Sequence, residues 1–481
     1  MDSIYFYIVY SIVLFLVCIR IIYNTNSPSK TTAYLLLAIL FPILGIFVYF
    51  SFGDNYRKKK LYLRKLDYDS KSYGELKEIV ARQTQDVLKT YKSEIANFYP
   101  LANYRRGTQF ISDNNVVELL INGENKFPEV IKSIEAAKDH IHIEYYIFVD
   151  DKIGNTIGDL LIKKAQEGVK VRFIYDDFGS ISIRKKFITK LKQAGVEAVP
   201  FYKINFIQFA NRINYRNHRK IIVIDGVVGY VGGINVSDKY VNTDTNDLYW
   251  RDTHIKITGK AVLNLQYIFL TDWNFCADQN ITFAYRYFPL EDTRKNFQGS
   301  QLTQIVSSGP SSDHPNIMYT LIQAITLAKE EILLTTPYFI PEKSYLDAIK
   351  IAALSGIKVK ILVPSVSDSF IINATCKSYY QELLETGVEI YKYTKGFVHA
   401  KTMVCDGYVS FVGTANLDNR SFDLNFEVNA IVYDTTLASE LKDHFNKDLE
   451  TANKIEIERW IKRPLYVVLY ERVLRLFSSL M

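Results

Sequence analysis

His218-Arg219-Lys220-Ile221-Ile222-Val223-Ile224-Asp225-Gly226, running on to Gly232-Gly233-Ile234-Asn235, is written a second time in the chain. The second copy is His399-Ala400-Lys401-Thr402-Met403-Val404-Cys405-Asp406-Gly407, running on to Gly413-Thr414-Ala415-Asn416. The shared pattern, H-x-K-x4-D-x6-G-[GT]-x-N, holds its offsets in both. A motif written twice predicts two half-sites.

Each copy predicts a β-hairpin, because Asp-Gly stands between two apolar, β-branched runs. His and Lys are two residues apart on the first strand and project from one face. The Asp follows the His at an odd offset and falls at the turn. His218 with Lys220, and His399 with Lys401, can therefore act together, while Asp225 and Asp406 look like turn and framework residues.

An imidazole beside an ammonium suits a phosphate. Neutral His is a nucleophile or base, protonated His an acid, and Lys brings three donors and a charge to phosphoryl oxygens. Asn235 and Asn416 add a neutral donor at each hairpin end. A single H-x-K would read as an ordinary strand; the duplication argues for function.

The flanking sequence repeats as well. The spacing predicts a strand at His140–Phe148, a helix at 153–167 ending at Gly168, and a strand Val169–Tyr175. After Pro310 the order recurs: a helix at 315–329, a strand Ile332–Thr336, a helix at 343–355 ending at Gly356, and a strand Lys358–Val363. The whole half-domain is duplicated. His140 and His142 lack an evident third ligand and read as structural. Downstream of each hairpin an acid sits in a β-type run, Asp252 in the first half and Glu427 in the second.

With 481 residues and 48% apolar content the chain is folded and has room for several domains. Cys18, Cys276, Cys376 and Cys405 have no metal-ligand spacing and read as reduced thiols. Residues 3–23 and 33–52 are apolar and each about long enough to cross a bilayer as a helix. The Met-Asp-Ser start lacks the positive charge of a signal peptide. Arg57, Lys58, Lys59, Lys60, Arg64 and Lys65 follow the second stretch, whereas 24–32 holds only Lys30. Positive charge stays inside, so the connection at 24–32 is expected outside and the rest in the cytoplasm. The net charge of +6 is accounted for by that cluster, which leaves no diffuse nucleic-acid surface. Residues 70–98 read as a connecting helix, and 200–217 as an aromatic, basic insert before His218. Pro464–Met481 is amphipathic at helical spacing, suited to a membrane interface or to docking on the body.

The paired motifs resemble the HKD motifs of the phospholipase D superfamily, and together with the apolar amino-terminal region the chain resembles the bacterial cardiolipin synthases of that superfamily along almost its whole length. The resemblance implies an α/β fold of two phospholipase D-like half-domains forming a pseudo-dimer behind a two-helix transmembrane hairpin. The expected division is 1–55 for the membrane helices, 56–105 for the juxtamembrane segment, 106–300 and 301–458 for the halves, and 459–481 for the C-terminal helix. It groups His218, Lys220, Asp225, His399, Lys401 and Asp406 as the catalytic signature and Asn235 and Asn416 as phosphate-binding. By analogy His218 is the nucleophile and His399 the acid, with Asp252 orienting His218 and Glu427 orienting His399 as the Asp of a triad does. Tyr145–Phe148 and Pro337–Ile340 are expected near the cleft. No metal or cofactor is implied, the substrate is phosphatidylglycerol, the product cardiolipin, and the partners are membrane lipids with no nucleic acid. A phospholipase D-type hydrolase, a transferase for another head group and an inactive membrane scaffold are the rival readings. Nothing in the motifs fixes the oligomeric state.

Overall fold

The computed structural model describes residues 2–25, 28–52, 55–103, 110–201, 215–243, 248–277, 279–289 and 299–478, with the side chains of 51–72 left aside. Most of the predicted insert before His218, residues 202–214, lies outside them, as do the side chains of the basic cluster at 57–65.

The body after the amino-terminal helices is one continuous sheet built twice. The first half supplies β1 (Phe110–Ile121), β2 (His140–Tyr145), β3 (Lys170–Asp176), β4 (Glu197–Phe201), β5 (Lys220–Ile224), β6 (Val228–Gly232) and β7 (Thr253–Gly259). The second supplies β8 (Gln301–Ser308), β9 (Glu331–Thr335), β10 (Lys358–Pro364), β11 (Glu389–Tyr393), β12 (Thr402–Cys405), β13 (Val409–Gly413) and β14 (Asn425–Tyr433). Across the sheet the order is β4-β3-β2-β5-β6-β7-β1, then β8-β14-β13-β12-β9-β10-β11, with Ala452–Lys454 on the far edge. Every strand of the second half thus occupies the mirrored place of its counterpart. The halves join through the antiparallel pairing of β1 with β8, Phe110 opposite Ile305.

Helices cover the sheet where the apolar spacing predicts them: Lys152–Gln166, Asn316–Leu327 and Lys343–Leu354. Gly168 and Gly356 end two of them with φ of 91° and 90°, a left-handed conformation that glycine adopts without strain. One apolar cluster, including Ile221 and Val231 from the first half and Val404, Val412 and Phe426 from the second, runs across the junction. Burying such side chains is worth about 1.5–3 kcal/mol each, so the halves form one body.

The helix Asn55–Thr90 breaks at Tyr73, where φ and ψ are −134° and 18°. Beyond that break Tyr73, Leu76, Val80, Val87 and Leu88 are buried against the body, and the connecting helix is docked.

The membrane region departs from the expectation. α1 (Asp2–Asn24) runs for 23 residues, about 34 Å of helix, long enough to span the hydrocarbon layer. The second apolar stretch is not one helix but two, α2 (Pro28–Leu40) and α3 (Pro42–Phe52), each too short to cross. They fold back on one another: a Cβ added to Gly45 would lie 2.5 Å from the Ala38 backbone, and the rings of Tyr34 and Tyr49 are 5.6 Å apart. Pro42 cannot donate to the carbonyl four residues before it, which breaks the helix there, and Gly45 permits the close approach. Tyr49 donates to the Arg20 carbonyl at 3.2 Å, bringing α3 back to the C-terminal end of α1. Lys30, in the connection expected to face away from the body, is 3.8 Å from Asp423 of the body.

Candidate active site

Both hairpins form as their sequences dictate. Asp225 and Gly226 have φ of 52° and 67°, and Asp406 and Gly407 have 53° and 59°, the two left-handed residues that a type I′ turn requires. The carboxylate of Asp225 accepts from the backbone N–H of Lys138, Asp139 and His140 at 2.8, 2.8 and 2.9 Å. Asp406 does the same for Lys329, Glu330 and Glu331 at 2.8, 2.9 and 3.1 Å. Each Asp staples its hairpin to the start of the neighbouring strand, a strand's length from the histidine. Their grouping with the catalytic signature is therefore corrected: the reading from spacing, as framework residues, holds.

At the other end of each hairpin the halves exchange partners. Residues 249–251 run parallel to 396–398, with Trp250 opposite Phe397, and 216–217 run parallel to 425–426. The His399 N–H donates to the Arg251 carbonyl at 2.7 Å, and the His218 N–H to the Phe426 carbonyl at 2.9 Å. In each case the next residue along the partner strand is the acid. His399 Nδ1 consequently meets Asp252 at 2.7 Å, and His218 Nδ1 meets both oxygens of Glu427 at 2.9 Å. The expected pairing of Asp252 with His218 and Glu427 with His399 is reversed: each histidine is oriented by the carboxylate of the other half.

These contacts leave Nε2 of each ring for chemistry. Tyr146 stands edge-on to His218 with centroids 4.8 Å apart, and Trp250 lies 5.4 Å from His399. Lys220 Nζ donates to the His218 carbonyl at 2.7 Å and Lys401 Nζ to the His399 carbonyl at 2.5 Å, which keeps each ammonium beside its histidine with donors to spare. Arg219 points the other way into a buried ion pair with Asp272.

The carboxylates have matched supports, which explain the Gly-or-Thr position of the motif. A Cβ on Gly233 would come 2.1 Å from Asp252 Oδ1, so the glycine makes room for that carboxylate. Its counterpart Thr414 instead donates its hydroxyl to Glu427 Oε2 at 2.5 Å. The sequence reading anticipated Tyr146, within Tyr145–Phe148, but missed Trp250 and the support that Thr414 gives Glu427; Trp250 could have been noticed as a neighbour of Asp252, the role of Thr414 only through the fold.

Burial governs the electrostatics. Desolvation drives His218 down to about 4, Glu427 opposing and Lys220 reinforcing, and it drives His399 to about 3 with help from Lys401. Desolvation likewise lowers Lys220 to about 7 and Lys401 to about 8. Burial alone would raise Asp252 and Glu427, but His399 and His218 respectively hold them below their usual values. Each lysine also lowers the histidine of the opposite half, Lys401 acting on His218 and Lys220 on His399. The two hairpins thus share one centre: neutral imidazoles, carboxylates behind them, and two lysines whose charge Glu427 and Asp252 help to hold against desolvation. It is built to receive an anion.

Asn235 is largely committed to the scaffold, accepting from the Ile147 N–H at 3.2 Å and donating to the Tyr240 hydroxyl at 2.6 Å. Asn416 keeps a buried side-chain oxygen without a partner. Of the expected cleft residues, Tyr146 reaches the site, whereas Tyr145, Phe148, Phe339 and Ile340 belong to the core. His140 and His142 are structural: His142 bonds Gln266 at 3.0 Å and Arg172 at 3.2 Å.

Two histidines from twinned halves, each backed by a carboxylate and flanked by a lysine, define a phospholipase D-like protein. Residues 130–273 and 321–449 match the family model described as cardiolipin synthase, PLD-like domain, and residues 11–53 match the phospholipase D-nuclease N-terminal model. The chain is 40% identical to cardiolipin synthase 2 of Bacillus anthracis over 97% of its own length and 90% of that protein's. It is also 40% identical to the major cardiolipin synthase of Bacillus subtilis, over 97% and 96%. The chain belongs to the cardiolipin synthase family. The crystal structure of phosphatidylserine synthase from Haemophilus influenzae shares the fold, with a TM-score of 0.55 at 16% identity over 76% of this chain and 93% of that one.

Proposed function

We propose that this protein makes cardiolipin and glycerol from two molecules of phosphatidylglycerol through a phosphohistidine. The observation that carries the reading is the crossed pair of His–carboxylate contacts in a buried centre that holds two lysines, together with the full-length similarity to cardiolipin synthases. The first catalytic half corresponds to 106–300 and the second to 301–458.

In the first step His218 Nε2 attacks phosphorus and the bond from phosphorus to the glycerol oxygen breaks. His399 supplies the proton that this oxygen takes up. Both imidazoles are neutral in the empty site, and the incoming phosphodiester anion favours protonation of His399. In the second step His399 removes the proton from the terminal hydroxyl of a second phosphatidylglycerol, whose oxygen attacks phosphorus and displaces His218. Glu427 and Asp252 hold the Nδ1–H tautomers and stabilise the imidazolium forms. Lys220 and Lys401 meet charge on the non-bridging oxygens, with Asn416 and, through its remaining N–H, Asn235.

The protein is anchored in the cell membrane with this centre on the cytoplasmic side. α1 crosses once, and α2 and α3 enter and return, so Lys30 and the basic run from Arg57 lie on the same side, as the charge rule requires. This arrangement replaces the expected second crossing.

Labelled phosphatidylglycerol given to the purified protein in detergent tests the reading. It predicts cardiolipin and free glycerol in equal amounts; phosphatidic acid without cardiolipin would make the protein a hydrolase, and undiminished product from His218→Ala would refute the chemistry.

A further inference from the structure

The C-terminal helix, Leu465–Arg475, seats Val467, Val468 and Leu474 together with charged groups toward the body and leaves a second apolar side outward. A surface helix in water turns its apolar stripe to the body and its charges to solvent. Here Glu471 is 3% exposed and bonded to Arg463 at 2.8 Å, while Arg475 forms an ion pair with Glu382 at 2.7 Å and lies over the Tyr379 ring at 3.9 Å. Leu465, Leu469 and Leu476 are instead 81%, 60% and 78% exposed. The neighbouring helix Phe370–Lys377 extends the surface with Phe370, which is 75% exposed and lies 6.1 Å from the Tyr470 ring. A contiguous apolar face held outward by an ion-paired polar side marks a contact with another apolar surface or phase.

The position of this face says which phase. The short helix Asn419–Asp423 is tied to the C-terminal segment by Asn419 Nδ2, which donates to the Ser478 carbonyl at 2.9 Å, and to the membrane region by the Lys30–Asp423 pair. The face therefore stands beside the end of the membrane anchor. Lys462 and Arg472 are exposed at its rim, where they would meet anionic head groups. The loop before Phe370 adjoins the site, since Asp368 accepts from the Tyr338 hydroxyl at 2.7 Å and its charge acts on Lys401.

We propose that the outward faces of the helices 370–377 and 465–475 form a second membrane contact, inserted into the interface of an anionic bilayer, that seats the mouth of the cleft on the lipid surface. α1 tethers the protein; this face sets its tilt and lets a lipid head group pass into the cleft without leaving the membrane.

The test uses the full chain in phosphatidylglycerol-containing vesicles, with Cys18→Ser and Cys276→Ser and a nitroxide on Leu469→Cys. A nitroxide on Asn446→Cys, an exposed polar position of the helix Thr435–Glu450, is the aqueous control. The 469 probe should be accessible to oxygen and shielded from a water-soluble nickel chelate, and the 446 probe the reverse; equal nickel accessibility at both would overturn the proposal. This readout needs no turnover, so it stands or falls apart from the reaction proposed above. As a second measurement, Leu465→Gln, Leu469→Gln and Leu476→Gln combined should lower activity on long-chain bilayer substrate about tenfold or more and leave short-chain monomeric substrate unaffected. An equal loss on both substrates would also overturn it.

Discussion

His218 and Glu427 belong to opposite halves of the chain, 209 residues apart, and form one pair with both carboxylate oxygens 2.9 Å from Nδ1. His399 and Asp252 repeat it in the other direction at 2.7 Å. Neither half holds a complete histidine–carboxylate pair, so the site exists only when the halves are joined.

The crossing predicts which variants behave alike. Glu427→Gln should act on the same group as His218→Ala, the nucleophile that carries the covalent intermediate, and Asp252→Asn on the same group as His399→Ala, the proton carrier of both half-reactions. Each amide should lower kcat by roughly 10²–10⁴. Double variants check the pairing: Glu427→Gln should add little to the loss in His218→Ala, and Asp252→Asn little to that in His399→Ala, whereas a full additional loss in either would contradict it.

The hairpin aspartates should matter for folding instead. Asp225→Ala and Asp406→Ala each remove an acceptor for three backbone N–H groups and place a less suitable residue at positive φ. Each should cost about 1–3 kcal/mol and lower the melting temperature. The folded fraction should keep kcat within about threefold; a loss of kcat comparable with that of His218→Ala would return these residues to the chemistry.

Burial makes a pH prediction of definite sign. An ordinary histidine loses its reactive neutral form as pH falls through about 6.5, whereas His218 and His399 should lose theirs only near 4 and 3. Inactivation of the empty enzyme by diethyl pyrocarbonate, with substrate protection as the control, should stay flat from pH 7 to about 5. A midpoint near 6.5 would contradict the buried, uncharged state. On the alkaline side, kcat/KM should fall as pH rises through 7 to 8, because Lys220 and Lys401 then lose the charge that receives the phosphate.

The duplicated hairpins, the helix ends at Gly168 and Gly356 and the placing of Lys220 beside His218 and of Lys401 beside His399 were legible because each rests on local spacing. The pairing of the acids was not. Asp252 and Glu427 could be singled out from their β-type runs, yet nothing in their sequence distance from a histidine tells which half's strand will run alongside. That depends on the two short parallel bridges at 249–251 and 216–217, made between segments far apart in the chain. The amino-terminal region failed for a related reason. Hydropathy counts apolar residues, and 33–52 has enough of them, but whether Pro42 and Gly45 kink a span or fold it back depends on Gly45 seating against Ala38. The C-terminal helix was legible as amphipathic, while the side that faces the body is set by Glu471 and Arg475 finding buried partners.

The central claim is that one histidine from each half acts on a single phosphorus. Acid-free quenching of the enzyme during turnover of phosphatidylglycerol labelled in the phosphatidyl group, followed by peptide mapping, tests it most directly. The account predicts a phosphatidyl label on the peptide carrying His218, present in the unaltered protein and absent from His218→Ala. Cardiolipin formed with no labelled histidine, or at an undiminished rate by His218→Ala, would contradict it.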